Sequence, residues 1–208
     1  MGAAPASGAP VARLAPLYHV LMTDPAFQAM SVEEYLRSEE SSPYKREYVG
    51  GFVYPLHGQA GVSQPHSLIS MNIAGMLFPH ARRQGCRLHV ADMRLHVNSV
   101  LFYPDVMLVC GQDIPHPLYE TAPCLLVEVL SPSTAANDRV GKYALYTSLP
   151  GLQTYLIVEQ AERRVYEYQR AGDEWRLREV AGEGEVGVPC LGLSLSLEDV
   201  YGGVIDAQ

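Results

Sequence analysis

The sequence predicts a fold of the α/β or α+β class, a mixed central β-sheet flanked by helices. Three observations carry that expectation. Two near-continuous apolar runs, Tyr103 to Cys110 and Cys124 to Leu130, read as strands covered on both faces. The segment from Pro65 to about Gln84 places Leu68, Met71, Ile73, Met76 and Leu77 mostly three to four residues apart, the period of a helix. The elements also follow one another as helix, hairpin, helix, three strands, helix and further strands, which mixes the two types along one sheet.

Taken in order, the elements begin after a stretch rich in Ala, Pro and Gly, and residues 1–25 are expected to form a disordered tail ahead of a single domain over 26–208. Ser31-Val32-Glu33-Glu34 is a capping box that opens a short helix through about Glu40. Glu47 to Leu56 reads as two strands around the turn signal Gly50-Gly51. Gly85 ends the long helix, and Arg87 to Val97 is expected to form one strand. After Leu130, Ser131-Pro132-Ser133-Thr134 breaks the chain, and a helix is expected from about Ala135 to Ser148, ended by Pro150-Gly151. Gln153 to Glu159 and Arg163 to Gln169 form a hairpin, Trp175 to Val180 is a further strand, and Leu197 to Tyr201 is a terminal helix.

Composition narrows the function classes. No apolar run reaches the length of a membrane span, and the N-terminal stretch lacks the features of a secretory signal. The four cysteines, Cys86, Cys110, Cys124 and Cys190, form no CxxC pair and are expected to be buried free thiols, which suits a reducing cytoplasm. A net charge of −8 does not mark a nucleic-acid binder. Arg82, Arg83, Arg87 and Arg94 nevertheless cluster against the single acid Asp92, so either a local basic face or an ordinary solvated helix end is expected there.

Two carboxylates stand in the apolar strands, Asp105 and Glu128. A bare carboxylate among Leu and Val costs several kcal/mol to desolvate unless a cation or donors satisfy it. Two on neighbouring strands repel, so a divalent cation between them is the simplest occupant, and Asp105→Asn is expected to stabilise the metal-free chain. Glu128 shares its strand face with Leu126 and Leu130. The competing reading is a buried Glu paired with an Arg or capping a helix. Thr134, Asp138, Lys142 and Tyr146 recur every four residues and share one helical face, from which Lys142 can reach back to Glu128. Read alone, Asp138 and Lys142 would be a surface ion pair. Glu47 enters the first hairpin and His66 opens the long helix; each in isolation is more often a surface or capping residue.

An acid, then a strand carrying Glu, then Lys resembles the PD-(D/E)XK nuclease superfamily. Within it the chain is similar to a large bacterial family of restriction-endonuclease-like proteins of unknown biological role. The matching segments are Met30 to Leu36, Arg46 to Tyr54, His66, Pro104-Asp105-Val106, Val127 to Thr134, Asp138, Lys142, Tyr146, Gly151 to Val158 and Leu191 to Leu195. In two places the chain departs from the pattern. Leu130 stands where the superfamily places its lysine, so Lys142 would supply the amine, and Val49-Gly50-Gly51-Phe52 lacks the acids that relatives carry beside one glycine.

The resemblance implies a restriction-endonuclease-like fold and hydrolysis of DNA phosphodiesters. Asp105, Glu128 and the carbonyl of Val129 would hold Mg2+, with Mn2+ as a substitute. Lys142 would orient water or stabilise developing charge, Glu47 would hold a second ion or a metal-bound water, and His66 and Tyr146 would be auxiliary. A homodimer is expected because cutting a duplex needs two sites. The alternatives are a non-catalytic nuclease-like binding module and another metal-assisted hydrolase.

Overall fold

A computed structural model describes residues 29–56, 63–111, 114–130 and 142–205. The expected tail over 1–25 lies outside the described residues, as do Thr134, Asp138 and the first part of the helix expected from Ala135.

Helix α1 (Val32–Glu39) starts on the capping box, with Ser31 Oγ accepting from Glu34 N and the Glu34 carboxylate accepting from Ser31 N. Strands β1 (Arg46–Val49) and β2 (Phe52–Pro55) form the first hairpin. Its turn places Gly50 at φ 57° and Gly51 at φ 99°, a pair of left-handed conformations that glycine adopts without a Cβ clash. Helix α2 (Gln64–Gln84) begins with Ser63 accepting from His66 N and Pro65 in its first turn, and stops at Gly85 in the left-handed region.

Residues 87–97, expected as one strand, are two: β3 (Arg87–Val90) and β4 (Arg94–Val97). The break falls at Ala91, which takes φ 58°, and Lys45 Nζ holds the Ala91 carbonyl at 2.9 Å while pairing with Asp92. The chain thereby leaves one sheet and enters another. Strands β5 (Val100–Phe102), β6 (Val106–Val109), β7 (Tyr119–Glu120) and β8 (Leu125–Val129) follow. Then come the short helix α3 (Tyr143–Tyr146) and strands β9 (Thr154–Val158), β10 (Arg164–Ala171), β11 (Glu174–Ala181) and β12 (Glu185–Val188). A 3-10 turn at Pro189–Leu191, β13 (Leu193–Ser196) and α4 (Leu197–Val200) complete the chain.

The central sheet has the order β11-β10-β9-β8-β6-β3 and is antiparallel except for the parallel pair β8–β9. A second sheet runs β2-β1-β5-β4-β7, and β12–β13 form a separate hairpin. The apolar runs are indeed covered twice. On one face Leu125, Val127 and Val129 meet Ile69, Ile73 and Leu77 of α2 and Val186, Val188 and Leu195 of the last hairpin. On the other, Leu126, Leu130, Met107, Tyr155 and Ile157 meet Leu95, Val97 and Phe102 of the second sheet and Tyr146 of α3. Each such side chain contributes roughly 1.5–3 kcal/mol of burial, so these two layers hold the register of β8 and decide which way Glu128 points.

The expectation of free thiols is corrected: Cys86 is bonded to Cys110 and Cys124 to Cys190. The register that pairs Arg87 with Val109 brings Cys86 opposite Cys110, a juxtaposition no local spacing announces. The argument from thiols to a reducing compartment falls with it. No described helix is long and apolar enough to cross a membrane. Two members of the arginine cluster are also turned inward. Arg87 pairs with Glu120 at 2.7 Å and Arg94 with Glu39 at 3.3 Å, which leaves Arg82 and Arg83 as the exposed residues at the end of α2.

Candidate active site

Glu47, His66, Asp105, Glu128, Lys142 and Tyr146 come from β1, α2, the entry to β6, the end of β8 and the turn into α3, and the fold draws them together. Glu128 is 3% exposed on the face of β8 that carries Leu126 and Leu130. A carboxylate so buried needs donors, and it has them. Lys142 Nζ lies 3.1 Å from Glu128 Oε1 and Tyr146 Oη donates to the same oxygen at 2.8 Å. Burial, with the Glu128 carboxylate beside it, pushes the Tyr146 phenol well above its ordinary range, so Tyr146 stays a proton donor.

Lys142 also stands 3.9 Å from Glu47 Oε1 and 5.4 Å from the centre of the Phe102 ring. One ammonium therefore spans two carboxylates from different sheets while it also lies over an aromatic face. The departure at position 130 has a physical reason here. Leu130 is 2% exposed and packs with Tyr146 and Leu149 in the core layer. A lysine at that position would have to bury its ammonium among apolar side chains.

Asp105 lies just before β6, after Pro104. Its Oδ2 accepts from the Val129 backbone N–H at 2.7 Å and sits 3.2 Å from His66 Nε2. His66 is in the first turn of α2, so it is the side chain of that helix turn that reaches this carboxylate. The bond to Val129 ties the Asp105 carboxylate to the backbone of the residue following Glu128.

The pair of acids thus does not confront itself bare: each has donors within the chain. This overturns the reason for expecting Asp105→Asn to stabilise the metal-free protein. The donor set remains that of a hard cation. Asp105 Oδ2 and Glu128 Oε1 take the named contacts, and a carboxylate offers about four lone-pair sites, so protein donors and a metal are compatible partners for such groups. Carboxylate and carbonyl oxygens suit Mg2+ or Mn2+.

Two supports escaped the sequence. Gln160 Nε2 donates to the Leu130 carbonyl at 2.8 Å while its Oε1 accepts from Ser63 Oγ, so one side chain ties the end of β8 to the cap of α2 and hence to His66. In the sequence Gln160 is one polar residue of a hairpin turn. The Val129 N–H, donor to Asp105, has no sequence signal because every residue except proline has one.

The chain's similarities fit this geometry. A family profile described as "Uma2: Putative restriction endonuclease" matches residues 32–199. A protein of Synechocystis sp. described as uncharacterized is 34% identical over 182 residues, covering 86% of this chain and 94% of the relative. A second uncharacterized protein of that organism is 34% identical over 160 residues, covering 74% and 89%. Among solved structures, one described as "a putative nuclease belonging to DUF820" from Anabaena variabilis superposes with a TM-score of 0.68 at 18% identity, covering 85% of this chain and 99% of the other. That last likeness is one of fold.

Proposed function

The chain belongs to the Uma2 family of restriction-endonuclease-like proteins, and from that premise we propose that it is a metal-dependent endonuclease hydrolysing phosphodiester bonds of DNA. The observation that carries this reading is the convergence of Glu47, Asp105, Glu128 and Lys142 from separate elements, with Lys142 bridging Glu128 at 3.1 Å and Glu47 at 3.9 Å.

Asp105, Glu128 and the Val129 carbonyl would hold Mg2+ or Mn2+. Once bound, the ion supplies Lewis-acid polarisation of the phosphate and lowers the pKa of a coordinated water. The chain's own residues do the rest. Lys142 positions its ammonium for the attacking water or for the charge that develops on a phosphate oxygen. Tyr146 holds Glu128 in its rotamer and keeps its proton, so the carboxylate presents a fixed edge. His66 and the Val129 N–H do the same for Asp105. Glu47 orients the Lys142 ammonium from the opposite side and could hold a water or a second ion. Two copies of the chain, one per strand, would cut a duplex.

Plasmid cleavage in Mg2+ or Mn2+ tests this. The wild-type chain should nick or linearise the plasmid, EDTA should stop it, and Asp105→Ala and Glu128→Ala should each lower the rate at least about 100-fold. Equal activity in all three chains, or none in any divalent metal, would refute nuclease function and leave a non-catalytic binding module in its place.

A further inference from the structure

The four cysteines of the chain form two adjacent disulfides, and the nuclease reading makes no use of them. Cys86 immediately precedes β3, Cys110 follows β6, Cys124 precedes β8, and Cys190 lies in the 3-10 turn between β12 and β13. The two disulfides close sequence separations of 24 and 66 residues, yet they lie side by side. The sulfurs of Cys110, Cys124 and Cys190, which belong to both bridges, are all within 4.8 Å of one another, and Cys86 is bonded to the first of them. Two disulfides do not require three of their sulfurs to lie this close; ligands of one ion do.

We propose that in the reduced chain these four thiolates bind one Zn2+ in a tetrahedral site that pins β3, β6 and β8 to the last hairpin. Zinc–sulfur bonds of about 2.3 Å place the sulfurs of a tetrahedral site about 3.8 Å apart, inside the 4.8 Å spread of the Cys110, Cys124 and Cys190 sulfurs, and Cys86 is joined to this group through its bond to Cys110. Opening each S–S bond lets its two sulfurs separate to that spacing by side-chain rotation. An all-sulfur tetrahedral set selects zinc or iron over Mg2+ or Mn2+, so this site and the carboxylate site take different metals. The surroundings suit a structural site at the edge of the core, with Cys110 at the solvent-exposed side. Cys124 belongs to the core layer under α2, Cys86 and Cys190 pack against it, Cys124 N donates to the Leu108 carbonyl at 2.8 Å, and Gln84 Nε2 anchors the turn through the Leu191 carbonyl at 3.0 Å. Each disulfide takes two electrons and two protons to become two thiols, and each thiol gives up its proton as its sulfur binds the metal. A water-soluble phosphine supplies the electrons in vitro, ending as phosphine oxide with water as the source of oxygen and protons.

The test uses the full chain carrying Asp105→Ala and Glu128→Ala, which lacks the carboxylate site. The protein is reduced with phosphine without oxygen, loaded with zinc chloride and freed of excess metal. The site predicts one zinc per chain, four thiols shielded from a chromogenic thiol reagent until a chelator is added, and, with Co2+ in place of zinc, strong sulfur-to-cobalt absorption. Cys110→Ser and Cys124→Ser should weaken zinc binding at least about 100-fold. The cobalt spectrum of the chain with all four cysteines decides the matter even if those variants misfold. A reduced chain that retains no zinc, a cobalt spectrum without sulfur bands, undiminished affinity in folded serine variants, or preference for iron would each overturn the assignment.

Discussion

Replacing Lys142 by Met removes one ammonium and little volume, and the site geometry sets what should follow. Glu128 then keeps Tyr146 Oη as a named donor at 2.8 Å but loses the cation at 3.1 Å, in a position only 3% exposed. Removing one partner of a buried ion pair costs about 3–5 kcal/mol because the remaining charge is uncompensated. The retained Tyr146 bond, and a lysine side chain that is 12% exposed rather than fully enclosed, place the expected loss nearer about 2–3 kcal/mol. For a chain of this length that is a fall in Tm of roughly 4–12 °C. Adding Glu128→Gln to Lys142→Met removes the orphaned charge, so the double variant should be more stable than Lys142→Met alone. Divalent metal should also recover part of the loss, since a cation at the carboxylates replaces the missing ammonium. Urea denaturation of the four chains of this cycle, with and without Mg2+, gives the coupling directly. A Lys142→Met variant within about 0.5 kcal/mol of wild type, or a double variant no more stable than it, would refute the argument that Lys142 neutralises Glu128.

Asp105→Asn should lower metal-free stability by about 1 kcal/mol, the difference between a charged and a neutral acceptor for the Val129 N–H; a higher Tm in EDTA would show that repulsion between the acids outweighs these bonds. Glu120 supplies a pH test. Its burial pushes the carboxyl up, but hydrogen bonds from Arg87 and His89 outweigh that and leave it below its ordinary value of 4.5. A depressed folded pKa means the contribution is present above pH 4.5 and is lost as pH falls through the folded value. The stability gap between wild type and Glu120→Gln, followed by urea midpoints, should therefore be full at neutral pH and close in acid; a gap constant down to pH 3 would contradict it.

The outline of the site was legible because its members lie in segments with strong local patterns. A carboxylate inside an apolar strand is conspicuous wherever the strand goes, and Lys142 one turn before Tyr146 points at the same oxygen because helical side chains four apart share a face. The supports were not legible. Gln160 acts through a carbonyl thirty residues away, and the donor to Asp105 is a backbone N–H, so neither differs in sequence from any other turn residue or strand amide.

By itself the sequence determined the capped first helix, the first hairpin, the long helix, the doubly covered strands and the face on which Glu128 sits, because period and capping are set by neighbours within a few residues; the short strands Val100–Phe102, Tyr119–Glu120, Glu185–Val188 and Leu193–Ser196 were not announced. Only the tertiary structure decided the rest. It split residues 87–97 between two sheets at Ala91, turned Arg87 and Arg94 inward onto Glu120 and Glu39, and joined four scattered cysteines in two adjacent disulfides. These outcomes depend on which strands become neighbours, and that is settled by the burial of whole layers rather than by any local run of residues.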